Sequence, residues 1–186
     1  MSVQFQKHYF NVDEYYRMAQ AGIFSENDRV ELIDGEIIEM SPIGSLHAGC
    51  VDVLNSLLAQ KVGRAAIVRV QGPIRINEYS EPEPDIALLK LRGDFYRHSH
   101  PTPADVLLVI EVTDTSLEYD RTVKLPLYAR AGIPEAWLVI LPKHVIEVHT
   151  EPKNGEYQKV QRLKRGNTLV SSTIEGLSIK VDEILG

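Results

Sequence analysis

The chain has 186 residues, of which 44% are hydrophobic and 25% charged, with a formal net charge of −6 at pH 7. That size supports one compact domain over residues 1–186, and no apolar run approaches the length of a membrane span. The acidic total argues against a surface coated in cations for nucleic acid, but leaves room for a local basic face.

Asn11 to Tyr16 opens a helical pattern, with Asn11 as N-cap and acidic residues in the first turn, ending near Gly22. No apolar h-region lies in Met1 to Phe10, so no signal peptide is expected there. Val30–Ile33 and Glu36–Glu39 read as strands joined at Asp34-Gly35, a strong hairpin signal. On the first strand Glu31 and Ile33 share one face, so Glu31 is either a solvent-facing residue or a carboxylate over a site.

After Pro42 and Gly44, Leu46 to Val62 has helical spacing, with Leu46, Cys50, Val53, Leu54, Leu57, Leu58 and Val62 on one side. His47 near its start is either a local hydrogen-bonding group or a contact to a carboxylate or phosphate. The lone Cys50 cannot form an internal disulfide and reads as a packing thiol, which suits a cytoplasmic protein. Ala66 to Asn77 alternates as two extended pieces around Gly72-Pro73.

Asp85 to Leu89 and Val106 to Val112 read as strands, and the second, nearly all apolar, as a central one. Each carries one carboxylate, Asp85 and Glu111. A charge in a buried strand is costly unless it is paired or binds a metal. Asp120 to Ala131 reads as a helix starting near Asp120 to Thr122 because of Pro126, and ending at Gly132. Its spacing stacks Asp120, Lys124 and Tyr128 on one face. Glu135 to Leu141, Val145 to Thr150 and Tyr157 to Leu163 read as further strands, with Trp137 in the core and a turn at Asn154-Gly155. Thr168 to Leu185 is a mixed tail that closes the sheet or packs on it.

If the Asp85 strand neighbours the Glu111 strand, the two carboxylates meet. Hard oxygen ligands suit Mg²⁺ or Mn²⁺, which complete their shell with water and substrate phosphate oxygens. Such an ion lowers the pKa of water and offsets charge on a phosphodiester. Lys124 would stabilise the transition state or orient the attacking water, against the usual fate of a solvated helix lysine. Tyr128 reads as a core residue with its hydroxyl at the site's rim.

A strand with Pro-Asp, a strand with Glu and then a helix with Lys resembles the restriction-endonuclease-like superfamily and its Pro-Asp…(Asp/Glu)-X-Lys signature. More closely, Val30 to Glu36, His47, Pro84-Asp85, Glu111-Val112, Asp120…Lys124…Tyr128 to Ile133 and Trp137 to Val139 resemble the Uma-two family of bacterial endonucleases. The resemblance implies an α/β fold, a central mixed sheet flanked by helices, with an N-terminal helix and β-hairpin. It implies Mg²⁺ or Mn²⁺ held by Asp85 and Glu111. Thr113 stands at the superfamily's lysine position, and Lys124 resembles its displaced replacement. Ile140 stands where the family commonly has an acidic residue.

For a DNA substrate, the Lys90 to His100 connection offers Lys90, Arg92 and Arg97 beside Phe95 and Tyr96 as phosphate contacts. Lys159, Arg162, Lys164 and Arg165 read equally as DNA contacts or as a charge-protected strand edge. Cutting both strands of a duplex makes a homodimer plausible. The leading function is a Mg²⁺-dependent DNA endonuclease. The alternatives are a catalytically weak nucleic-acid-binding or interaction protein that keeps the fold, and a metal-assisted hydrolase of small phosphoesters.

Overall fold

The computed structural model describes residues 6–25 and 27–186. Half of the stretch Met1 to Phe10, in which no signal peptide was expected, is residues 1–5, which lie outside the described residues. Among those described, no helix is long and apolar enough to cross a membrane.

Helix α1 (Val12–Gln20) is closed by a capping box. Asn11 Oδ1 accepts from Glu14 N at 2.8 Å, and Glu14 Oε2 accepts from Asn11 N at 3.0 Å. Its Tyr15 hydroxyl donates to the Val30 carbonyl, which fixes the helix against the hairpin of β1 (Val30–Ile33) and β2 (Glu36–Glu39). The turn places Asp34 and Gly35 both at positive φ, 47° and 81°. This is the left-handed pair that a tight hairpin needs. A Cβ on Gly35 would lie 2.6 Å from that of Tyr9, so the position tolerates no side chain.

Six strands form the central sheet in the order β3-β4-β5-β6-β7-β8: β3 (Ile67–Val70), β4 (Ile86–Leu89), β5 (Val106–Thr113), β6 (Glu135–Ile140), β7 (Val145–Lys153) and β8 (Glu156–Leu163). Every neighbouring pair is antiparallel except β5 and β6. That mixed sheet flanked by helices is the architecture the sequence implied. Strand alternation divides the core in two. Leu108, Ile110 and Val112 of β5 face α2 (Ser45–Val62), while Val109 lies in the cluster around Leu125 and Tyr128, with Glu111 on the same side. Trp137 is buried in the first cluster.

Several boundaries differ from the sequence reading. Only β3 of the Ala66–Asn77 stretch is a strand; Gln71 turns to positive φ and the chain then runs irregularly to a single bridge at Asn77. In α2, Leu46 and Val53 are exposed while Val51 is buried. The helical connection from β5 to β6 begins earlier than expected. It comprises α3 (Leu117–Tyr119), a π-helical turn (Asp120–Lys124) and α4 (Leu125–Arg130). Leu125 N bonds back five residues to the Asp120 carbonyl. Pro126 has no N–H and would clash with the carbonyl four residues earlier, and the widened turn relieves that clash without ending the helix.

The tail packs on the sheet rather than extending it. Strands β9 (Thr168–Val170) and β10 (Ser178–Lys180) pair with each other, and α5 (Val181–Leu185) joins the α2-side core. Glu135, fully buried at the start of β6, anchors the tail. It accepts from Trp137 Nε1 at 2.6 Å, Ser171 Oγ at 3.1 Å, Ser172 N and Oγ at 2.8 and 2.7 Å, and Thr173 N at 3.2 Å.

Two outcomes follow. Replacing Glu135 with alanine strands five donors, the Trp137 and Ser171 ones buried, and should lower stability by about 2 kcal/mol or more in urea unfolding, with Glu135→Gln costing less; a loss of under about 1 kcal/mol would contradict the anchoring role. The Cys50 thiol is held up at about 11 by burial and then by the Asp85 charge. It should therefore resist a disulfide reagent at neutral pH in the folded protein and react fully in urea; rapid native labelling would show an accessible thiol.

Candidate functional site

The pairing of β4 with β5 sets Ile86 opposite Ile110, which brings Asp85 opposite Glu111. Asp85 N lies 3.4 Å from Glu111 Oε2, and Val112 N donates to Asp85 Oδ2 at 2.9 Å. The two strands thus clasp each other's carboxylates at one end of the sheet. His47, at the start of α2, brings Nε2 to 3.0 Å from the same Asp85 oxygen. That bond draws the imidazole pKa upward, against the effect of its partial burial.

Lys124 enters from the π-helical turn. Its side chain is only 7% exposed, and its Nζ lies 3.3 Å from both Glu111 Oε1 and Glu31 Oε2. It also donates to the Glu83 carbonyl at 3.4 Å. Burial favours a neutral amine, but Glu111, Glu31, Asp120 and Asp85 outweigh it and keep the ammonium. Tyr128, one turn further, donates to Glu111 Oε1 at 2.6 Å from full burial. It is a core residue whose hydroxyl reaches the site. Glu31 is not solvent-facing: it is 2% exposed and also accepts from Glu83 N and the Tyr119 hydroxyl.

The site is short of positive charge. Burial raises the Glu111 pKa to about 8, with Asp85 and Asp120 adding to the rise and Lys124 opposing it. Asp120 and Glu83 are also displaced upward, chiefly by burial. A pocket of about 500 Å³ opens over these groups, roofed by the hairpin and the segment from Met40 to Gly44.

The donor set fits a hard divalent cation. Among the described residues, no donor hydrogen-bonds to Asp85 Oδ1, and Glu111 Oε2 receives only the long contact from Asp85 N. Each carboxylate therefore keeps one oxygen open, in a pocket whose acids repel one another. Among the described residues, no group of three or more His, Cys, Asp and Glu side chains forms a ready-made ligand cage. Two carboxylates with water and phosphate oxygens is the pattern Mg²⁺ accepts.

Asp85, Glu111, Lys124, Glu31, His47 and Tyr128 therefore come together. Lys90, Arg92 and Arg97 do not line the pocket. Their loop leaves β4 at the end away from Asp85, roughly 16 Å along the strand. Arg92 is held within that loop, bidentate to Asp94 at 2.6 and 3.2 Å and stacked over Tyr96. Sequence reasoning passed over Glu83, Tyr119 and Arg29, all of which line the pocket, and did not place Asp120 in the site. Asp120 carried a signal, four residues before Lys124. Tyr119 carried none, because an aromatic on an amphipathic helix reads as core.

A family model described as "Uma2: Putative restriction endonuclease" matches residues 12–182. The fold resembles the crystal structure of "a putative nuclease belonging to DUF820 from Anabaena variabilis ATCC 29413", with a TM-score of 0.72. The two share 14% sequence identity, over 95% of this chain and 97% of that one. None of the curated proteins compared with the chain matches it. With nearly its whole length matched, the chain belongs to the Uma2 family of restriction-endonuclease-like proteins.

Proposed function

We propose that this protein is a DNA endonuclease that hydrolyses phosphodiester bonds with Mg²⁺ or Mn²⁺ held by Asp85 and Glu111. The observation that carries the reading is the meeting of those two carboxylates across paired strands, with a buried ammonium 3.3 Å from one of them. The bound cation would lower the pKa of water and offset charge on the phosphodiester.

The chain's own groups prepare that chemistry. Val112 N and His47 fix one oxygen of Asp85, leaving the other to ligate. Tyr128 holds Glu111 Oε1 in the same way. Glu31, itself tied by Tyr119 and Glu83 N, and the Glu83 carbonyl hold the Lys124 ammonium in place. From there Lys124 orients the attacking water and stabilises the charge that builds on the phosphoryl oxygens. A lysine on a long flexible stem reaches this point from a helix as well as from a strand. Duplex cleavage on both strands would call for two such sites, which a symmetric homodimer supplies.

Supercoiled and linear DNA incubated with Mg²⁺ or Mn²⁺ should be cut by the native protein. Asp85→Ala, Glu111→Ala and Lys124→Ala should each lower the rate on the order of 100-fold or more. Tyr128→Phe should cost less, because the cation site survives it. Uncut DNA with every metal, or cleavage that survives the Asp85 and Glu111 substitutions, would overturn the nuclease reading.

A further inference from the structure

A second groove, of about 610 Å³, lies between α4 and the β7–β8 edge, on the same face of the sheet as Glu111. One cross-strand row joins the two places: Glu111 sits opposite Leu138, Leu138 opposite Glu147, and Glu147 opposite Arg162. At about 4.8 Å per strand, Glu147 stands roughly 10 Å and Arg162 roughly 14 Å from Glu111 along that row. Arg121, adjacent in sequence to Asp120, reaches into this groove.

Glu147 is buried, and a single oxygen, Oε1, accepts from Arg121 Nη2 at 2.7 Å and Arg162 Nε at 2.9 Å. One arginine would neutralise it. The second leaves the Glu147–arginine triad with net positive charge, with Glu156 also lining the groove, and the Arg162 side chain stays 71% exposed. A guanidinium carries five N–H donors, so each arginine keeps most of its fork available to another acceptor. His149 lines the same groove at 8% exposure, and its Nε2 is buried without a hydrogen-bond partner among the described residues. That nitrogen lies 3.5 Å from Glu147 Oε2, near enough for a charge contact but not aligned as a hydrogen bond.

We propose that Arg121 and Arg162, held over this groove by Glu147, form a phosphate-binding subsite for the substrate strand, a short way along it from the scissile bond. This rests on the nuclease reading above. The row's span of roughly 10–14 Å puts the two arginines within reach of a phosphate a short way along the strand that enters the site. Planar forks suit phosphate oxygens, and Glu147 orients them before the strand arrives.

The test is steady-state cleavage of a single strand of about 20 nucleotides, against a dinucleotide too short to span the row. Arg162→Gln is the primary variant because its side chain is largely exposed; Arg121→Gln and Arg162→Lys accompany it, with thermal unfolding as a folding control. On the long strand Arg162→Gln should raise KM about 5–10-fold with kcat within about twofold, and the log–log salt dependence should flatten by about one unit. Arg162→Lys should restore part of the affinity, and the dinucleotide should show no such rise. Unchanged KM and salt slope in a native-like fold, while Asp85-dependent cleavage persists, would overturn the subsite alone. Should the native protein show no Asp85-dependent cleavage, the nuclease reading fails, and metal-free binding of the long strand decides the subsite. Weaker binding by Arg162→Gln would support it, and equal binding would overturn it.

Discussion

Lys124 carries a full positive charge into the interior beside Glu31 and Glu111, each 3.3 Å from its ammonium. Removing three charges from water is costly, and the cost is offset only when the partners are held close and their remaining donors and acceptors are met. Three separate parts of the chain must be in place for that: the hairpin for Glu31, the central strand for Glu111, and the π-helical turn for Lys124. Tyr128, Tyr119 and the Glu83 backbone then fill the positions around them. The ion group gives two features of the fold a role. Glu31 is buried in a two-stranded hairpin outside the main sheet, and the helix bearing Lys124 is widened where Pro126 follows.

The balance is incomplete. Asp85, Asp120 and Glu83 share the pocket with Glu31 and Glu111, while Lys124 is the one lysine lining it, joined by Arg29 at the wall and by His47 when protonated. A fold selected for stability alone would gain by replacing some of these acids with apolar groups, since buried ion clusters are rarely better than well-packed hydrocarbon. Local violations of the packing rules concentrate where function resides. The contrast with Glu135 is instructive. That carboxylate is equally buried, yet five donors converge on it and no open oxygen faces a pocket. One acid fastens the tail to the sheet; the others leave room for a cation.

Much of this was legible in the chain. Single carboxylates in apolar strands marked Asp85 and Glu111, four-residue spacing aligned Lys124 with Tyr128, and Asp34-Gly35 placed the hairpin carrying Glu31. The two-residue period could not say which neighbours flank a strand, so the meeting of Asp85 and Glu111 was a conditional inference until the register set it. Chain proximity did not translate into a place in the pocket. Lys90 to His100 follows β4 directly, but a strand has two ends, and the loop leaves from the end without Asp85. The arginines of the neighbouring groove, Arg121 and Arg162, come from a helix and an edge strand some forty residues apart, and the pairing of β7 with β8 brings them to one glutamate. The π-helical turn was likewise hidden, because Pro126 signals a disturbance but not the manner of its accommodation.

The account turns on whether Asp85 and Glu111 hold one divalent cation between them. The most direct measurement is a crystal of the native protein equilibrated with Mn²⁺ and read by anomalous scattering. A peak ligated by both carboxylates, with Lys124 still beside Glu111, is the predicted result. A site left empty at saturating Mn²⁺ with both side chains ordered, or a peak bound by other residues, would contradict it.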